Sequence, residues 1–85
     1  MRNKLKLQTL IFDNKFYTNK RKVKDWVLRN DFKLDKRKKD PVDKFANTYR
    51  VRQRNPDWFQ KKTFRTKQLS KGIKGVYGYL KKRWS

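Results

Sequence analysis

The stretch Thr48 to Arg54 reads Thr-Tyr-Arg-Val-Arg-Gln-Arg. In a β-strand, where successive side chains point to opposite faces, it separates two chemistries. Tyr49, Val51 and Gln53 fall on one face, and Arg50, Arg52 and Arg54 on the other. Guanidinium is permanently charged, planar and able to bond phosphate oxygens in pairs, so three of them at strand spacing make an anion-binding row. The same alternation also describes the solvated face of any half-buried strand in a basic chain. A second group of cations, Lys36-Arg37-Lys38-Lys39, precedes Asp40-Pro41 and has no apolar period, which suits a loop. Its chemistry fits a phosphate-gripping arm, a nuclear-import signal or plain solvated charge.

Catalytic chemistry has less to draw on. The chain has no His and no Cys, which excludes zinc sites built on those ligands, His-dependent triads and disulfides. Pro56-Asp57 followed by Gln60 and Lys62, together with Asp40 and Asp43, superficially matches a metal-dependent nuclease motif. Such motifs need carboxylates from separate strands gathered around Mg²⁺, with a Lys nearby. Asp57 sits in a turn sequence with no second carboxylate near it, and Asp40 and Asp43 flank a proline. The expectation is therefore a non-enzymatic protein with no metal, no cofactor and no small-molecule substrate.

Charge dominates the composition: 27 Lys and Arg against 7 acids give a net +20, and every acid is Asp. It is spread evenly, with +9 through Val42 (14 basic, 5 acidic) and +11 after it (13 basic, 2 acidic). Self-repulsion at this density opposes compaction and is relieved by a polyanionic partner, for which nucleic acid, DNA or RNA, is the leading candidate. A membrane partner is disfavoured, since no apolar run approaches the ~20 residues that span a bilayer. Leu10-Ile11-Phe12 is too short for a signal peptide's hydrophobic region, so the expected protein is soluble and intracellular, or packaged inside a particle, and not secreted. Eighty-five residues make one small basic domain, and thirteen aromatics with only two prolines favour a folded chain over a disordered one.

The elements that would position the Arg row can be read in order. Leu5 to Phe12 alternates and then turns continuously apolar, as in a strand entering a core, and Asp13-Asn14-Lys15 supplies a turn. Thr18 or Asn19 caps a helix whose Val23, Trp26 and Val27 share one face, with Arg21, Asp25 and Arg29 opposite. Asn30-Asp31 end it, and Phe32 folds back on its end. Residues 33–44 read as a flexible basic loop. After the Arg strand, Asn55-Pro56-Asp57-Trp58 is a turn, and Thr63 to Leu69 alternates again with Arg65 and Lys67 on one face. A short connection predicts an antiparallel hairpin between that strand and the Arg strand. Ser70-Lys71-Gly72 makes a turn. Ile73 to Leu80 fits a helical stripe, but Gly75 and Gly78 disfavour a helix and Val and Tyr favour a strand, so a strand with a possible Gly-associated bulge is expected. Residues 81–85 read as a basic tail.

The Trp-bearing helix, Asn47 to Pro56, Phe64 to Leu69 and Gly72 to Val76 together resemble a small basic domain that recurs in tailed-phage proteins. The resemblance covers most of residues 10 to 80. It implies a viral or prophage setting, and with it a host cytoplasm or a virion interior as the location, and carries no activity or site residues.

The resulting expectation is an α+β fold, β-α-β-β, with a three- to four-stranded antiparallel sheet and one helix packed on one face. The other face would carry Arg50, Arg52, Arg54, Arg65 and Lys67, supplemented by Lys36, Arg37, Lys38 and Lys39. Tyr77, Tyr79 or Trp58 would stack on bases if the partner is single-stranded. Two alternatives are a basic structural component of a virion or ribonucleoprotein particle and a phage-encoded protein that docks on an acidic host protein surface.

Overall fold

Apolar residues on both faces send the first strand to the middle of the sheet. β1 (Lys6–Asp13) buries Leu7, Leu10 and Phe12 on one side and Thr9 on the other, with Ile11 half-buried beside Thr9. It is flanked by β3 (Thr48–Arg52) and β5 (Ile73–Gly78), and the edges are β2 (Val42–Lys44) and β4 (Arg65–Ser70). Every pairing is antiparallel, in the order β2-β3-β1-β5-β4. One helix, α1 (Lys20–Arg29), follows β1. The computed structural model describes residues 5–34 and 38–84. The architecture is α+β, one antiparallel sheet with one helix, but with five strands instead of three or four.

The helix forms where its cap and stripe predict. The Asn19 side chain accepts the Lys22 N–H at 3.0 Å, satisfying one of the unpaired amides of the first turn. Val23 and Val27 are fully buried in a cluster with Leu10, Phe12, Val42, Val51 and Ile73. Each such side chain stabilises the fold by about 1.5–3 kcal/mol. Trp26 stays partly exposed, edge-on to Phe12 at 5.5 Å and stacked on Phe32 at 5.7 Å. Asp31, with φ at 61°, turns the chain out of the helix, and the Phe32 N–H returns to the Val27 carbonyl at 2.9 Å.

Three expectations are corrected. The segment 33–44 is not all loop: Val42 is buried and β2 pairs with β3. A three-residue strand after a proline is too short to show alternation, and ion pairs hold it in place. Asp40 takes Lys20 from α1 and the Val42 N–H at 3.1 Å, while Lys38 bonds both oxygens of Asp43 at 2.7 and 2.8 Å. Second, the Arg strand does not form a hairpin with β4. It pairs with β1 and β2, while β4 pairs with β5 across the Lys71-Gly72 turn, where Gly72 has φ at 78°. The connection from β3 to β4, residues 53–64, is no tight loop. It contains two 3₁₀ turns, Pro56–Trp58 and Lys61–Thr63, and delivers a fully buried Phe59. Phe59 lies outside the main cluster, against Phe64 at 5.5 Å and against Gly78, where an added Cβ would come within 3.0 Å of its ring. Third, the register shifts lie between Leu7 and Thr9 in β1 and between Gln68 and Ser70 in β4, not at a glycine of β5.

The C-terminal stretch is tied down at its start, where the Lys81 N–H reaches the Trp58 carbonyl at 2.7 Å; Lys82–Trp84 form a 3₁₀ turn. Among the described residues no helix is long and apolar enough to cross a membrane.

Candidate nucleic-acid interface

The helix covers one side of the sheet, and register alone identifies what the other side carries, because residues paired across antiparallel strands share a face. Asp43, Arg50, Ile11, Lys74 and Gln68 form one row across all five strands. Arg52, Thr9, Val76 and Thr66 form the next. Arg50, Arg52 and Lys74 are exposed. With strands about 4.8 Å apart and alternate residues about 7 Å apart along a strand, these three cations stand within roughly 12 Å of one another at their backbone positions. Ile11 and Thr9 lie between them, and the Thr9 hydroxyl is used by the Val51 carbonyl at 3.1 Å.

The predicted cations do not all gather here. Arg54 is half-buried, and its Nη1 donates to the Leu7 carbonyl at 2.8 Å. The extra residue in β1 disrupts the ladder there: the Gln8 carbonyl takes the Gln53 and Arg54 N–H groups at 2.8 and 3.1 Å, and the Gln8 side chain donates to the Arg54 carbonyl at 3.0 Å. Arg54 thus braces a bulge. Arg65 and Lys67 pair with Tyr77 and Gly75, so they stand on the helix side of the sheet, at its β4 edge. The reason is phase: alternation fixes faces within a strand, but which face meets the core depends on the strand's partner. Lys38 is engaged by Asp43, Lys39 is exposed, and Lys36 and Arg37 lie outside the described residues.

The predicted stacking residues are also relocated. Tyr77 packs against the core over Gly75, with the Lys67 ammonium 5.6 Å from its ring centre. Tyr79 is half-buried, its N–H bonded to Thr63 Oγ1 at 2.9 Å and its carbonyl to the Gln60 N–H at 2.8 Å. Trp58 is half-buried in its 3₁₀ turn. Among the residues whose burial is described, the exposed rings are instead Phe16 and Phe45, each 47% exposed and each under a cation. Arg50 lies 4.6 Å from the Phe45 ring centre and Lys71 lies 5.2 Å from that of Phe16. Beside Phe16 lies a groove of about 370 Å³, lined also by Ile11, Asp13, Thr48, Gln68, Lys71, Gly72 and Lys74. Reading the sequence alone misses Lys74, Phe16 and Phe45. The last two carried a signal, being large apolar residues in turn sequences with no periodic partner.

Asp40 is held below its ordinary range by the Lys20 side chain and then the Val42 N–H. Asp57 is exposed in its turn, its N–H bonded to Asn55 Oδ1 at 2.9 Å. Among the described residues, no three acids gather to hold a metal ion.

Compared with known proteins, the chain matches no family model, no curated protein and no solved structure.

Proposed function

We propose that this protein binds nucleic acid, without catalysing a reaction, through the helix-free face of its sheet. The observation that supports the reading is the sorting of Arg50 and Arg52 on β3 and Lys74 on β5 onto the same exposed side of the sheet, either side of β1, in a chain of net +20. A strand face is stiff, so its cations hold their spacing with little loss of backbone freedom on binding. Neutralising phosphates there releases counterions, which makes affinity fall steeply with salt. The resemblance to a phage domain adds a setting to the proposal: a viral protein acting on nucleic acid or packed with it in a particle.

A second reading rests on β4, an edge strand exposed along its whole length with Arg65 and Lys67 on one face. Such an edge accepts an added strand, and these cations favour an acidic one from a host protein.

Two triple variants of equal charge separate the open face from general stickiness. In fluorescence anisotropy titrations over several salt concentrations, Arg50→Gln with Arg52→Gln and Lys74→Gln weakens binding far more than Arg65→Gln with Lys67→Gln and Lys39→Gln. Each lost phosphate contact flattens the slope of log K against log salt by about 0.7 to 0.9. Equal behaviour of the two triples refutes a defined face. Loss confined to the second triple moves the site to the β4 edge.

A further inference from the structure

On the basis of that nucleic-acid reading, we propose that the groove beside Phe16 seats one unpaired base, which makes the ligand single-stranded. A nucleotide offers three surfaces: a flat apolar face, a polar edge and an anion. The groove offers a partner for each. Phe16 supplies an exposed ring, and half-buried Ile11 an apolar floor. Thr48 and Gln68 border the cavity with a hydroxyl and an amide, and Lys71 and Lys74 supply two cations against the one carboxylate in the lining, Asp13, whose Oδ1 accepts the Lys15 N–H at 2.9 Å. About 370 Å³ lies within the range of small-ligand sites.

The exposure of Phe16 has no role in the fold. It lies outside the core cluster, in the turn after β1, where its N–H bonds the Asp13 carbonyl at 3.1 Å. Its ring is nevertheless held in place, because Gly72 packs so close that an added Cβ would lie 2.7 Å from Phe16 Cδ2. What covers the ring is the Lys71 ammonium, a flexible cation that can swing to a phosphate when a base takes its place. A base inside a duplex has both faces stacked and its edge paired, so it cannot reach the floor of the groove. An unpaired base can. Sequence-tolerant stacking beside cations is the general mode of single-strand recognition.

The test uses the full chain and labelled oligonucleotides of about 16 residues, as a single strand and as the matching duplex, in DNA and RNA forms. The expected result is preference for the single strand, with Phe16→Ala weakening that complex about 5- to 100-fold while barely changing the duplex. Because Phe16→Ala can loosen its turn, a second measurement uses the unaltered protein. Photo-cross-linking to a 5-iodouracil strand, mapped by mass spectrometry, places the adduct on the peptide containing Phe16. Equal affinity for both probes, no effect of Phe16→Ala, or an adduct mapped elsewhere overturns the base-seating proposal and leaves the nucleic-acid reading intact. If no probe binds, the nucleic-acid reading fails and the proposal falls with it; if the Arg50, Arg52 and Lys74 triple variant binds as tightly as the unaltered chain, the open face is not the binding site, and the groove, which Lys74 lines, falls with it.

Discussion

Arg54 and Arg50 look alike in the sequence and have opposite surroundings in the fold, so replacing each gives opposite results. Arg54→Met keeps much of the stem but removes the charged donor from the half-buried Leu7 carbonyl. A hydrogen bond from a charged group contributes about 1.5–3 kcal/mol, and an acceptor left unsatisfied loses a similar amount. Partial access of water to the bulge places the expected loss near the lower end, at about 1.5–2 kcal/mol. In a domain of this size each kcal/mol moves the melting midpoint by about 4–8 °C, so the Tm falls by roughly 6–16 °C. Arg50→Met loses only an exposed contact with Phe45, worth about 0.5–1 kcal/mol, and its Tm falls by no more than about 8 °C. Binding reverses the order. At a temperature where both variants are folded, Arg50→Met flattens the salt slope by about 0.7–0.9, and Arg54→Met leaves it unchanged. Circular dichroism melts and anisotropy titrations at four salt concentrations provide both numbers. An Arg54→Met protein with unchanged Tm and a flattened slope would refute the assignment of Arg54 to the bulge and return it to the phosphate-binding row.

Two further predictions concern the scaffold. Phe59→Ala empties a fully buried site and costs about 3–5 kcal/mol, a large fraction of the stability of a domain this small; urea unfolding that shows under 1 kcal/mol of loss would mean the 53–64 connection packs differently. Because the folded-state pKa of Asp40 is depressed, the stability it contributes is present at neutral pH, where the carboxylate is ionised in both states. That contribution is lost as the pH falls below about 3.9 and through the lower folded-state value. Asp40→Asn therefore melts below the unaltered protein at pH 7, and the gap narrows in acid; a gap that stays constant to pH 2 would mean the Lys20 contact contributes nothing.

Local chemistry made much of the scaffold legible in the sequence. The Asn19 cap, the Val23 and Val27 stripe, the Asx turns at Asp13 and Asn55 and the alternation of β3 all depend on residues within a few positions of one another, and all stand where those residues place them. The placement of the cations was only half legible. Alternation correctly paired Arg50 with Arg52, but it carries no information about which strand lies next door. The joining of Lys74 to that pair, and the removal of Arg65 and Lys67 to the opposite face, follow from β1 inserting between β3 and β5. The same insertion, with its extra residue near Gln8, draws Arg54 out of the row and onto a backbone carbonyl. Exposure is likewise a property of the assembled sheet. Tyr77 and Phe16 are both aromatic residues with a lysine within three positions in the sequence, yet only tertiary packing laid one across Gly75 and left the other open at the rim of a groove.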